Sequence, residues 1–197
     1  MYRLFRFLFL IIFKVLHRFE VRGAEHIPET GPAILVSNHV SNWDPMVLGC
    51  SAKRQVHFIA KESLFKTPVI GILMKAWGCL PVKRGRGDRE AIAKSLEILA
   101  NRMMLGVFIE GTRNKENPEQ MKTPQSGAAM LALKSGAPVV PLVLLNTRKI
   151  GTGFAKVKVI IGAPLHFEFQ PGLDKKELYH AVSNQMVAAI ENLRQRA

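Results

Sequence analysis

An α/β fold, with a mostly parallel central sheet flanked by helices, is predicted for this sequence, and three observations carry the prediction. After Gly23, apolar runs of strand length alternate with segments of helical periodicity, the pattern of strands joined by crossover helices. Asp44-Pro45, Thr67-Pro68 and Thr123-Pro124 each look like a helix N-cap followed by proline in the first turn, where the missing N–H costs nothing. At 197 residues and 48% hydrophobic content, the chain suits one domain with an adequate core.

Taken in order, the elements begin with a helix over Met1 to Phe19. Its cations Arg3, Arg6 and Lys14 fall within about 80° of one another on a helical projection, and His17 joins them. Phe5, Phe7, Leu8, Phe9, Ile11, Ile12, Phe13, Val15 and Leu16 cover the rest. The uninterrupted apolar run is far short of the roughly 20 residues a bilayer span needs. No small-residue cleavage site follows it, as a signal peptide would require. The expectation is an amphipathic helix lying in a membrane interface, with Phe and Leu among acyl chains and the cations on lipid phosphates. Residues 1–20 are therefore read as a membrane-anchoring arm and 21–197 as the α/β domain.

Within that domain the candidate strands are Ala33 to Val36, Val56 to Ile59, Leu80 to Val82, Val107 to Ile109, Val139 to Leu145 and Lys156 to Ile161. A helix from Asp88 carries Ile92, Leu96, Leu99 and Met103 along one stripe. Near the carboxy terminus, Asp174 and Glu177 resemble a capping box, and Leu178, Val182, Met186, Ala189 and Leu193 supply the packed face.

The formal net charge of +13 points to an anionic partner: nucleic acid, a phospholipid surface or a polyanionic substrate. Only two tyrosines occur and no helix-turn-helix, RRM or zinc pattern appears, which argues against nucleic acid. Cys50 and Cys79 show no metal-like spacing and read as buried core residues in a reducing compartment.

Four short blocks carry the chemistry. Ser37 to Pro45 sets His39 and Asp44 five apart just after an apolar strand. A His ring with an acid on its other nitrogen can deprotonate an alcohol near neutral pH. Spacing alone is weak evidence, because His57 and Glu62 repeat it. The second block, Lys83-Arg84-Gly85-Arg86-Gly87, follows a short strand. There glycines let backbone approach an anion, and Arg84 can grip a phosphate. The third, Phe108-Ile109-Glu110-Gly111-Thr112-Arg113, ends a buried strand in a polar turn. In it Thr112 and Arg113 offer donors to a phosphate, and Glu110 can accept a hydroxyl or hold an arginine. The fourth, Val140-Pro141-Leu142, brings shape and no ionisable group.

In this order the blocks resemble those of the glycerolipid acyltransferase family, most closely its bacterial 1-acylglycerol-3-phosphate (lysophosphatidic acid) acyltransferases. The resemblance covers roughly residues 21 to 165. It implies a membrane-associated enzyme, without metal or organic cofactor, at the cytoplasmic face of the cell membrane. Such an enzyme moves an acyl group from acyl-CoA or acyl carrier protein to the sn-2 hydroxyl of lysophosphatidic acid, the alternative acceptors within the family being glycerol 3-phosphate or another lysolipid, which the four blocks do not separate. It further implies His39 and Asp44 as catalytic residues, and Arg84, Glu110, Gly111, Thr112 and Arg113 as the residues that bind substrate. One departure is the segment Met121-Lys122-Thr123-Pro124, where the family often has Phe-Lys before a Gly-Ala helix.

Overall fold

A computed structural model of the chain describes residues 1–82, 87–169, 172 and 174–197. Seven strands form one sheet in the order β1-β7-β6-β2-β5-β3-β4. They are β1 (Glu20–Arg22), β2 (Ala33–Ser37), β3 (Val56–Lys61), β4 (Cys79–Val82), β5 (Met104–Phe108), β6 (Val139–Leu145) and β7 (Lys158–Ile161). Neighbours run parallel except β6 and β7. The helices are α1 (Tyr2–His17), α2 (Asp44–Ser51), α3 (Glu62–Phe65), α4 (Pro68–Ala76), α5 (Gly87–Ala100), α6 (Gly127–Ser135) and α7 (Lys175–Gln195).

Alternation along the strands feeds two cores. Ala33 and Leu35 of β2 pack with residues of α1 and α2, while Ile34 and Val36 pack with α5, α6 and α7. Both faces are therefore covered, as a parallel sheet requires. On α7 the buried stripe is Leu178, Val182, Met186 and Ile190, and the Asp174 carboxylate accepts from Lys176 N at 2.8 Å.

Most strand ends shift by one or two residues from the sequence expectation, and three larger differences have a visible cause. The strand expected at Val107 to Ile109 begins at Met104. Gly106 interrupts the apolar pattern because the Phe58 ring lies over it, and a Cβ there would sit 2.3 Å from that ring. The helix expected at Thr123 starts instead at Gly127, because Gln125 N donates to Ile109 O at 2.8 Å and is thereby tied to the residue after β5 rather than to a helical turn. β1 is too short and polar to show any strand pattern, yet it pairs with β7 along its full length.

Helix α1 buries Phe13 and His17 and packs Tyr2, Phe5, Phe9 and Leu10 on the domain. Its other face leaves Leu4, Phe7, Leu8, Ile11, Ile12 and Val15 exposed. Two of the expected lipid-facing cations turn inward. His17 is buried, and Arg6 donates to Cys50 O at 3.2 Å, one of the carbonyls left open at the end of α2. No described helix is long and apolar enough to cross a membrane.

Trp77, fully buried, joins three elements at the end of α4. Its Nε1–H donates to Pro45 O at 3.1 Å, and its ring lies 5.2 Å from Tyr2 and 5.3 Å from Phe9. Truncating a large buried aromatic removes transfer energy and leaves a cavity, so Trp77→Ala costs about 3–5 kcal/mol. Denaturant unfolding of the two proteins, at equal slope, checks this value.

Candidate active site

The site begins where β2 ends. Asn38 is buried, and its side-chain amide substitutes for strand backbone: Nδ2 donates to Leu144 O at 3.0 Å and Oδ1 accepts from Leu144 N at 2.8 Å. This extends the attachment to β6 by one residue while the main chain turns away, so the next side chain, His39, leaves the sheet at its carboxyl edge. Ligands of open α/β sheets gather at that edge.

His39 Nδ1 donates to Asp44 Oδ2 at 2.8 Å. A carboxylate accepts only, so Nδ1 carries a proton, and the neutral tautomer that this bond selects is the one with its lone pair on Nε2. The ring stacks on Phe108, with centroids 4.1 Å apart and planes 16° from parallel. Asp44 is fully buried, and the same Oδ2 accepts the backbone N–H groups of Val40 and Ser41, both at 2.7 Å. Its Oδ1 is buried with no hydrogen-bond partner. The N-cap expectation for this residue is thus corrected: Asp44 is the first residue of α2, and its carboxylate turns back onto the preceding loop.

Glu110 is also buried, with both oxygens on backbone donors. Oε1 accepts from His39 N at 2.8 Å and Oε2 from Lys122 N at 3.0 Å. Asn114 N donates to His39 O at 2.7 Å. Both backbone polar groups of His39 are therefore held by the loop after β5. Asn114 in turn folds that loop, donating from Nδ2 to Asn117 O and Gln120 O, each at 2.7 Å. Gly111 has φ +69°, and a Cβ on it would lie 2.8 Å from the Gln125 side chain, so both conformation and space call for glycine.

An apolar cavity of about 820 Å³ opens beside His39. β3 and β5 pair only as far as Phe58 and Gly106, although both strands continue. The cavity occupies this divergence, with Trp43, Met46 and Met74 on one side of the sheet and Ile92, Ser95 and Leu131 on the other. Gly111 and Arg113 line it, and Cys79 borders it. Burial pushes the Cys50 and Cys79 thiols up to about 12, so neither is a thiolate nucleophile at neutral pH.

The structure thus brings together His39, Asp44, Glu110, Gly111 and Arg113 of the sequence candidates. Thr112 is exposed and does not line the cavity, Lys122 contributes its backbone N–H, and Arg84 lies outside the described residues. Sequence reasoning missed Asn38 as a strand extender, Asn114 as a loop organiser and Phe108 as the surface under the His39 ring. The one local signal for these was an amide or aromatic residue at the polar end of an apolar run.

These features define an α/β protein whose His–carboxylate pair faces a deep apolar cavity, an arrangement suited to proton transfer beside an aliphatic ligand. The chain belongs to the acyltransferase family, whose model, described as Acyltransferase, matches residues 18–145. It is 34% identical over 160 residues to "1-acyl-sn-glycerol-3-phosphate acyltransferase LPAT1, chloroplastic" of Arabidopsis thaliana, covering 76% of this chain and 44% of that protein. It is 29% identical over 180 residues to the 1-acyl-sn-glycerol-3-phosphate acyltransferase of Bacillus subtilis (strain 168), covering 88% of each. The chain spans less than half the length of the two plant relatives. The crystal structure of the 1-acyl-sn-glycerophosphate (LPA) acyltransferase PlsC from Thermotoga maritima superposes with a TM-score of 0.75 at 26% identity, over 98% of this chain and 79% of that one.

Proposed function

We propose that this protein transfers a fatty acyl group from a thioester to the sn-2 hydroxyl of 1-acylglycerol 3-phosphate, making phosphatidic acid. The observation that carries the reading is the His39–Asp44 pair at an apolar cavity that Arg113 also lines. The names of the bacterial and plant relatives support the choice of acceptor.

In the mechanism we infer, Nε2 of His39 takes the hydroxyl proton as the acceptor oxygen attacks the thioester carbonyl. Asp44 balances the imidazolium that forms. The tetrahedral intermediate collapses, the C–S bond breaks, and the proton passes from His39 to the departing sulfur. The thioester is already activated, so direct transfer needs no acyl-enzyme. Arg113 grips the acceptor phosphate, with Arg84, Gly111 and Thr112 as further candidates at that end, and so converts affinity into orientation of the hydroxyl. Glu110 serves as a positioning residue, since both its oxygens are occupied by backbone and one of them fixes His39. The apolar cavity takes an acyl chain, each buried CH₂ contributing about 0.8 kcal/mol. Residues 1–20 anchor the 21–197 domain to the cytoplasmic face of the cell membrane, through the exposed side chains of α1.

The test is acyl transfer by purified protein in detergent or vesicles, offering lysophosphatidic acid or glycerol 3-phosphate with acyl-CoA or acyl carrier protein thioester. Phosphatidic acid from lysophosphatidic acid is the expected product. Its absence with every pair, from folded protein, overturns the reading. Arg113→Ala raises the apparent KM for the phosphate-bearing acceptor by roughly tenfold or more, the loss of one charge-assisted pair, and leaves the donor KM within twofold. Steady-state titration of each substrate separates the two.

A further inference from the structure

Outside the site and α1, the largest exposed aliphatic cluster among the described residues lies on α3 and α4. Val69 is 77% and Ile72 61% exposed, and Leu64 and Ile70 are each more than 40% exposed. Leu64 and Ile70 also line the 820 Å³ cavity. The cavity's apolar lining is therefore continuous with an apolar outer surface, where a soluble protein would place polar groups.

The two short helices hold this surface in a fixed shape. Gly71 of α4 sits against the Phe65 carbonyl, where a Cβ would come within 2.3 Å of the oxygen. At the far end of α4, the Trp77 ring packs at a tilt against Tyr2 and edge-on against Phe9, so α4 adjoins the helix with the exposed Leu4, Phe7 and Leu8. Lys61, Lys66 and Lys75 flank the cluster and are exposed, and Glu62 is the one acid between Lys61 and Trp77. Exposed aliphatic side chains on a segment with three exposed lysines and one acid match the boundary between acyl chains and anionic headgroups.

We propose that α3 and α4 form a second membrane-contact element, docking on an anionic phospholipid leaflet so that the cavity opens directly onto the bilayer. The proposal rests on the acyltransferase reading for its purpose, which is to let a lipid acyl chain pass from leaflet to cavity without crossing water. Its physical content, insertion of Val69 and Ile72, stands by itself. An acyl chain leaving the bilayer through water exposes its methylenes, and the continuous apolar path past Leu64 and Ile70 removes most of that barrier.

The experiment places a single environment-sensitive dye on Val69→Cys, Ile72→Cys or, as control, Asn184→Cys on the exposed side of α7. The native thiols at Cys50 and Cys79 are buried, so labelling favours the introduced site. With vesicles of mixed phosphatidylglycerol and phosphatidylcholine, dyes at 69 and 72 shift to the blue and are quenched by lipids carrying a nitroxide on the acyl chain. The dye at 184 does neither. Water-like emission from 69 and 72 on vesicle-bound protein overturns the proposal, as does failure of the protein to bind these vesicles. In a second arm, the double variant Val69→Asp, Ile72→Asp acylates a short-chain, water-soluble 1-acylglycerol 3-phosphate at the wild-type rate. On acceptor embedded in vesicles its rate falls about tenfold. Equal loss on both acceptors means a structural effect and counts against the proposal. Wild-type protein inactive on both acceptors refutes the acyltransferase reading, while the dye measurement still decides the docking.

Discussion

Replacing His39 with alanine lowers the rate of acyl transfer by about 10² to 10⁴, the usual contribution of a general base, and barely moves the unfolding midpoint. The second half of this expectation follows from how the residue is held. The loop is fastened through the His39 backbone, its N–H on Glu110 and its C=O on Asn114 N, and alanine keeps both bonds. What is lost is the partly exposed ring, its stack on Phe108 and one hydrogen bond to Asp44. Single-turnover rates with saturating donor, beside a thermal melt, check both halves. A variant that still turns over within a few fold of wild type would remove His39 from the mechanism. A rate loss accompanied by a collapsed melt would point to a folding role, and Glu110→Gln would then be the variant to compare. That change leaves His39 in place but exchanges one buried acceptor oxygen for an amide NH₂ facing a backbone N–H.

The fold was legible because its signals are local. Apolar runs alternating with segments of helical periodicity depend on neighbours in sequence, and six of the seven strands announced themselves this way, whereas of the three N-cap and proline pairs only Thr67-Pro68 opens a helix with its first residue as the cap. β1 did not, since three residues held by backbone pairing to β7 need no side-chain pattern. At the site, His39 and Asp44 were legible because one short loop carries both. The partnership of Glu110 with His39 crosses 71 positions, and that of Asn38 with Leu144 crosses 106. Both are side-chain to backbone bonds, set by which strand ends lie side by side, and no periodicity encodes that. The inward turn of Arg6 and His17 was hidden for a related reason. A helical projection groups residues by angle, but which side meets the domain depends on what packs there, here Trp77 and the end of α2. The route of the cavity depends on β3 and β5 parting after Phe58 and Gly106, a register property invisible in either strand alone.

Asp44→Asn is the sharper test, because the structure separates the two things the carboxylate does. One oxygen, Oδ2, accepts from His39 Nδ1, Val40 N and Ser41 N. An asparagine carbonyl in that place keeps all three bonds and so keeps the loop and the Nδ1–H tautomer. The amide NH₂ then falls where Oδ1 was, a buried position without a hydrogen-bond partner. An unsatisfied buried donor costs about 1–3 kcal/mol, so the variant melts lower than wild type. The opposite rotamer points the NH₂ at three donors and is worse. Catalysis loses the negative charge that stabilises imidazolium as it forms, and the expected fall in kcat is about 10² to 10⁴ with both KM values little changed. Measured well below its own midpoint, the variant is folded, and the rate reports the charge alone. A variant that melts lower yet retains kcat within a few fold would assign Asp44 to holding the loop and leave His39 to work without a balancing anion.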